Sequence, residues 1–127
     1  MPAVSNPETI HAPAGRYVHQ IEVVNPRRLL FISGQVGRRL DGSIDADPIG
    51  QLRVCMENVL ANLKAVGMGV EALTKITTYV VGSMDPAGRR AVLDELLGDH
   101  WTTSTLVYVV ALAAPEFLVE VDAWAAV

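Results

Sequence analysis

A single cysteine, Cys55, is the only thiol in this 127-residue chain, so no intrachain disulfide can staple it. It falls inside a helical apolar pattern, where a small packed hydrophobe is the reading its surroundings favour. Histidine is nearly as scarce: His11, His19 and His100 lack metal-ligand spacing, and no metal is expected. Positive charge is in deficit, with 10 Lys and Arg against 14 Asp and Glu, a formal net charge of −4 at pH 7. A chain built to neutralise phosphates carries a basic face, so this balance argues against nucleic acid as a partner. The arginines do cluster in three pairs, Arg27-Arg28, Arg38-Arg39 and Arg89-Arg90. Each pair sits at a turn or helix start without interleaved aromatics, as solvated surface does. No apolar run nears the ~20 residues that cross a bilayer, and the opening "MPAVSNPETIHAPAGRY" lacks a basic start followed by an apolar stretch. No membrane partner is expected, and the chain reads as soluble and cytoplasmic.

What is present suits one domain over residues 1–127: half the residues are hydrophobic, and this length buries a core unaided. In "DPIGQLRVCMENVLANLKAVG", Ile49, Leu52, Met56, Val59, Leu63 and Val66 recur at three- and four-residue steps and line one helix face. Asp47 caps that helix, Pro48 takes its first position and Gly67 stops it. "DPAGRRAVLDELLGDH" repeats the punctuation with Asp85, Pro86 and Gly98, and a weaker stripe of Ala87, Val92, Leu93, Leu96 and Leu97. Strands are read in "RYVHQIEVV" and "RRLLFISGQV", a hairpin around Asn25-Pro26, and in the β-branched "ALTKITTYVVG". Two more, "STLVYVVALAA" and "FLVEVDAWAAV", flank a Pro115-Glu116 turn. The order β-β-α-β-α-β-β makes an α+β protein, with a mixed sheet covered on one face by two helices.

The run Leu106 to Leu112 is apolar throughout, the pattern of a strand buried on both faces. Two helices cover one face of a small sheet, so a second copy of the chain is expected on the other.

The closing "EFLVEVDAWAAV" alternates differently. As a strand it places Val119, Val121, Ala123 and Ala125 on one side and Leu118, Glu120, Asp122 and Trp124 on the other. Glu120 is the candidate for proton chemistry in a cleft, because an otherwise apolar strand desolvates a carboxyl and disfavours its charged form. Asp122, nearer the strand end, reads as solvated or salt-bridged. Ser33 and Gly34 end the apolar stretch Leu29 to Ile32; a glycine there lets a ligand approach the backbone, or serves a β-bulge needed only for folding.

Taken together, the "FISGQ" box, the "NVLANLKAVG" helix and the acidic last strand resemble the RidA/YjgF family, also labelled endoribonuclease L-PSP or reactive intermediate deaminase proteins. The resemblance runs from "APAGRYVHQIEV" to "LVEVDAWAAV" and implies a homotrimer of chorismate-mutase-like subunits with ligand clefts between neighbours. It implies hydrolysis of enamines or imines without metal or organic cofactor. Carried over by position, the cleft tyrosine falls on Tyr17, the serine-glycine pair on Ser33 and Gly34, and the last-strand acid, the catalytic residue, on Glu120. Where the family's best-known deaminases have a carboxylate-gripping arginine, this chain has Thr105 within "STLV", as in other branches. One hydroxyl cannot replace a bidentate guanidinium. A non-catalytic module binding a small metabolite in the same cleft is the second reading, and a ribonuclease the third, for which no basic groove is evident.

Overall fold

The computed structural model describes residues 3–127. The elements in chain order are β1 (Ala3–Ser5), β2 (Gln20–Glu22), β3 (Leu29–Val36), α1 (Pro48–Ala65), a 3-10 turn (Val70–Ala72), β4 (Leu73–Val81), α2 (Pro86–Leu97), β5 (Thr103–Val109) and β6 (Val119–Ala126). The helices begin as their sequences require. The Asp47 and Asp85 carboxylates each accept the backbone N–H three residues on, from Gly50 and Gly88, at 3.1 Å, with proline next to each cap. Such caps contribute about 1 kcal/mol apiece. Gly67 (φ 75°) and Gly98 (φ 57°) take the left-handed conformation beyond the last turns, a region that penalises a Cβ. Val66 and Ala87 are the exceptions to the expected apolar stripes: both are exposed, because they lie at the helix ends, beyond the edge of the sheet contact.

The main sheet has four strands in the order β3-β6-β4-β5. Both pairings of β6 are antiparallel, whereas β4 and β5 are parallel, with α2 as the crossover between them. Leu52, Met56, Val59 and Leu63 of α1 and Val92, Leu93 and Leu97 of α2 form one core with Ile76, Val80, Val119, Val121, Ala123 and Ala125 of the sheet. The alternation of β6 is therefore resolved as expected, with its four small apolar residues under the helices. The class is α+β with a mixed sheet and two helices on one face.

Three expectations about strands change. The hairpin around Asn25-Pro26 does not form: β2 pairs with β1, matching Ala3 with Glu22 and Ser5 with Gln20. Its cause is Arg16, whose buried guanidinium donates to Asp94, to the Gly98 carbonyl and to the His100 carbonyl at 3.1 Å. That anchors the preceding segment at the β5 edge, and β3 lies at the opposite edge. Second, β5 and β6 are not neighbours across Pro115-Glu116, since β4 separates them. Third, β5 ends at Val109, and within one chain Leu106, Val107 and Tyr108 are exposed rather than buried on both faces. β5 is the edge strand, and Val110 beyond it is 98% exposed.

Candidate functional site

The uncovered face of the sheet carries the acidic residues singled out in the last strand, Glu120 and Asp122. Register puts Val36, Glu120, Tyr79 and Val107 in one row across the four strands, and Asp122, Thr77 and Thr105 in the next. Paired residues in adjacent strands share a face, so all of these point away from the helices.

Glu120 and the Ser33-Gly34 pair come together. The β3–β6 register shifts between Ile32 and Gln35, which leaves Ser33 and Gly34 outside the ladder as a bulge. Both are exposed, and the Gln35 side-chain amide donates to the Ser33 carbonyl at 3.0 Å. The half-buried Glu120 side chain lies directly against Gly34: a Cβ built there would fall 1.8 Å from Oε2 and 2.6 Å from Cδ. Only glycine admits the carboxylate in this position. The two alternatives for the glycine thus merge, because the bulge is also what seats the acid.

The chain leading into β6, the strand that carries Glu120, is tied down by Gln51, a fully buried residue that the sequence does not single out. Its amide nitrogen donates to the carbonyls of Asp45 (2.8 Å) and Glu116 (2.9 Å), and its oxygen accepts the Leu118 N–H (2.8 Å). Two of these bonds fix the entry into β6 and the third ties it to the loop before α1. A polar residue inside a helical apolar stripe was the available signal.

Asp122 accepts a hydrogen bond from the Tyr79 hydroxyl at 2.8 Å. The bond to that carboxylate, more than desolvation, raises the Tyr79 phenol above its ordinary range. Asp122 is therefore tied to a tyrosine across the strand rather than to a cation. Thr105 is on the same face but about 10 Å from the β6 backbone, two strand spacings away. Its hydroxyl accepts from the Lys75 ammonium at 3.3 Å, so a point charge stands beside it in place of a guanidinium.

Tyr17 is not with these residues within one chain. It lines a cavity of about 220 Å³ at the helix-side edge of β5, with Gly15, Arg16, Arg89 and Ser104, and its hydroxyl accepts the Ala14 N–H at 3.1 Å. Cys55 is fully buried, donates to the Val119 carbonyl at 3.5 Å, and has its thiol pushed up to about 12, chiefly by burial. It is inert packing, as its pattern implied. Among the described residues no three His, Cys, Asp or Glu side chains gather at one point, and no helix is long and apolar enough to cross a membrane.

Comparisons with known proteins identify the family and the fold. Residues 9–127 match the family model described as Endoribonuclease L-PSP, and the chain belongs to that family, the RidA/YjgF proteins. It is 35% identical over 72 residues to the RutC family protein YjgH of Escherichia coli, a match covering 53% of this chain, and it spans about half (55%) of that relative's length. It is 31% identical over 99 residues to TdcF of Escherichia coli, assigned by name alone to the reactive intermediate deaminases; 76% of this chain and 74% of TdcF are covered. Among solved structures, a Rid-family protein of unknown function from Yersinia pestis, YyfB, superposes with a TM-score of 0.85 at 28% identity over 99% of this chain and 98% of its own. Escherichia coli TdcF with bound serine superposes with a TM-score of 0.70 at 28% identity, covering 91% of each chain.

Proposed function

We propose that the chain, acting as one domain over residues 1–127, is a cytoplasmic homotrimer that hydrolyses a reactive enamine or imine to a carbonyl compound and ammonia, in clefts between subunits and without metal or organic cofactor. The observation that carries this reading is the Glu120 carboxylate seated against the Gly34 bulge, on a sheet face no helix covers. Water attacks the imine carbon while Glu120 takes one of its protons, and the same carboxyl passes that proton to the nitrogen, giving a neutral carbinolamine. Glu120 then takes the carbinolamine hydroxyl proton and delivers it to the nitrogen as the C–N bond breaks, so that the carbonyl compound and ammonia leave and the carboxylate is restored; an enamine first tautomerises to the imine. One carboxyl in two roles suffices, and positioned acid–base groups contribute about 10²–10⁴-fold. The exposed Ser33-Gly34 backbone holds a polar atom of the ligand, and Tyr17 of one subunit closes the cleft. The exposed Leu29, Phe31 and Trp124 support the assembly: an uncovered apolar surface on the sheet suits a second copy. The name of TdcF supports the reaction class.

The second reading, a module that binds a small metabolite without turning it over, is favoured by one observation: Thr105 with Lys75 in place of a guanidinium clamp. A panel of imines generated in situ from amino acids and amines tests the two. Release of ammonia and carbonyl compound above the uncatalysed rate is expected from the enzyme; saturable ligand binding with no acceleration for any member is the outcome for the module.

A further inference from the structure

The sequence spacing of His11 and His19 suggests no metal site, but the fold brings their two rings together. The small β1–β2 sheet ends at the Ser5–Gln20 pair, and one step beyond it the Asn6 side-chain oxygen accepts the His19 N–H at 2.7 Å. The chain between them loops out and returns, so that the His19 Nε2 meets the His11 carbonyl at 2.7 Å. The ring centres of His11 and His19 stand 4.9 Å apart with their planes at 79°, and the Tyr17 ring packs edge-on against His19 at 5.7 Å. His19 is half-buried and His11 exposed, which leaves the pair open to an ion from solvent.

The hydrogen bonds fix which nitrogen of each ring is free. A carbonyl oxygen only accepts, so a ring nitrogen that meets one carries the proton. His19 therefore has its N–H at Nε2 and a lone pair at Nδ1. His11, whose Nδ1 lies 2.9 Å from the Ala12 carbonyl, has its N–H there and a lone pair at Nε2. Among the described residues neither lone-pair nitrogen has a hydrogen-bond partner. Imidazoles that ligate metals are arranged in this way, with the far N–H given to a carbonyl that sets the tautomer and raises the basicity of the ligating nitrogen. The spacing agrees as well: with metal–nitrogen bonds of about 2.0–2.1 Å at a near-tetrahedral angle, two imidazoles on one ion hold their ring centres about 5 Å apart.

We propose that His11 and His19 form a two-histidine site for a divalent transition-metal ion of the Ni²⁺, Cu²⁺ and Zn²⁺ group. Imidazole nitrogen suits those ions, whereas Mg²⁺ and Ca²⁺ require oxygen ligands. Among the described residues no third His, Cys, Asp or Glu joins the pair, so water completes the coordination and the ion is exchangeable rather than structural. A net charge of −4 favours the approach of a cation. The bound ion ties together the two ends of the segment from His11 to His19, which carries Tyr17. Neither histidine lines the cavity at the β5 edge, and the ion takes no part in the chemistry at Glu120. The inference goes beyond the deaminase reading and is tested by binding alone.

Isothermal titration of the untagged, assembled full chain with ZnCl₂ and with MgCl₂, at about pH 8 where imidazole is neutral, tests it on the wild type, His11→Gln and His19→Gln. The His11 ring is exposed and bonds only to the carbonyl of its neighbour, so His11→Gln should fold, which circular dichroism checks for both variants. One Zn²⁺ per chain with a Kd on the order of 100 μM is expected, with no saturable Mg²⁺ binding. Each variant should weaken Zn²⁺ at least about tenfold. Cu²⁺ should bind at least about tenfold more tightly than Zn²⁺, and its electron paramagnetic resonance spectrum should show two imidazole nitrogens in the wild type and one in each variant. No saturation by Zn²⁺, Mg²⁺ binding as tightly as Zn²⁺, unchanged Zn²⁺ affinity in His11→Gln, or a wild-type Cu²⁺ spectrum without the second imidazole nitrogen would each overturn the proposal.

Discussion

Replacing Gly34 by alanine separates the position of the Glu120 carboxylate from its presence. The new methyl would fall 1.8 Å from Oε2, so the carboxylate must retreat by about 1.5 Å to reach ordinary contact. Its Cγ, at 3.0 Å, must give as well, but the clash is with the movable end of a side chain and not with backbone. Gly34 is not among the positive-φ residues, so alanine suits its backbone. Reduced freedom of the unfolded chain then favours the variant by about 0.4–1 kcal/mol, and the displaced glutamate costs about 0.5–1.5 kcal/mol in rotamer strain. The two nearly offset, and Tm should move by no more than about 4 °C. A misplacement of about 1 Å costs on the order of 10²-fold in rate, so kcat for imine hydrolysis should fall about a hundredfold while KM changes little. The assay is steady-state ammonia release beside a thermal melt. A variant that keeps the wild-type kcat would refute the seating argument; one that unfolds far below the wild type would show that Gly34 serves the fold alone.

Three further outcomes follow from other parts of the molecule. With Thr105 in place of a guanidinium, 2-imino acids should be hydrolysed at least about thirtyfold less efficiently than imines of the decarboxylated amines, and Thr105→Arg should recover much of that; efficient 2-imino acid turnover by the wild type with no gain in the variant would remove Thr105 from the specificity argument. The Asp94 carboxylate is held below its usual range by hydrogen bonds from Arg16 first and Arg90 second, so its stabilisation is present above the unfolded value of about 3.8 and is lost as pH falls through the depressed folded value. Asp94→Asn should lower Tm by a few degrees at neutral pH and flatten the acid limb of the stability profile below about pH 4, whereas an unchanged limb would assign acid sensitivity elsewhere. Light scattering coupled to size exclusion should report about three times the 13.7 kDa of one chain, and a stable monomer at micromolar concentration would sink the intersubunit cleft.

The helices were legible because their signals are local. A cap, a proline and a stop glycine within about twenty residues define α1 and α2 without reference to the rest of the chain. The hairpin failed because its decisive interaction is long-range: Arg16 is fixed by groups more than seventy residues away, on α2 and the loop after it. Alternation showed which β6 residues share a face, but not that β6 lies between β3 and β4, since a period of two carries no information on neighbours. For the site, Gly34 and Glu120 could each be picked out by residue type, and their contact needed the β3–β6 register shift. Gln51 and Arg89 were missed for the same reason: one looks like a polar lapse in a helix stripe and the other like surface charge until packing surrounds them.

The central claim is that the Glu120 carboxyl moves the protons of C=N hydrolysis. It is tested most directly by comparing kcat, KM and stability of Glu120→Gln with those of the wild type on an imine the wild type turns over. Glutamine keeps the shape against Gly34 and removes the titrating oxygen. The account predicts a fall in kcat of about 10²–10⁴-fold with KM little altered, and unfolding at the same or slightly higher denaturant, since a partly buried carboxylate is replaced by a neutral amide. A variant with wild-type kcat, or one that loses activity only because it unfolds at markedly lower denaturant, would contradict it.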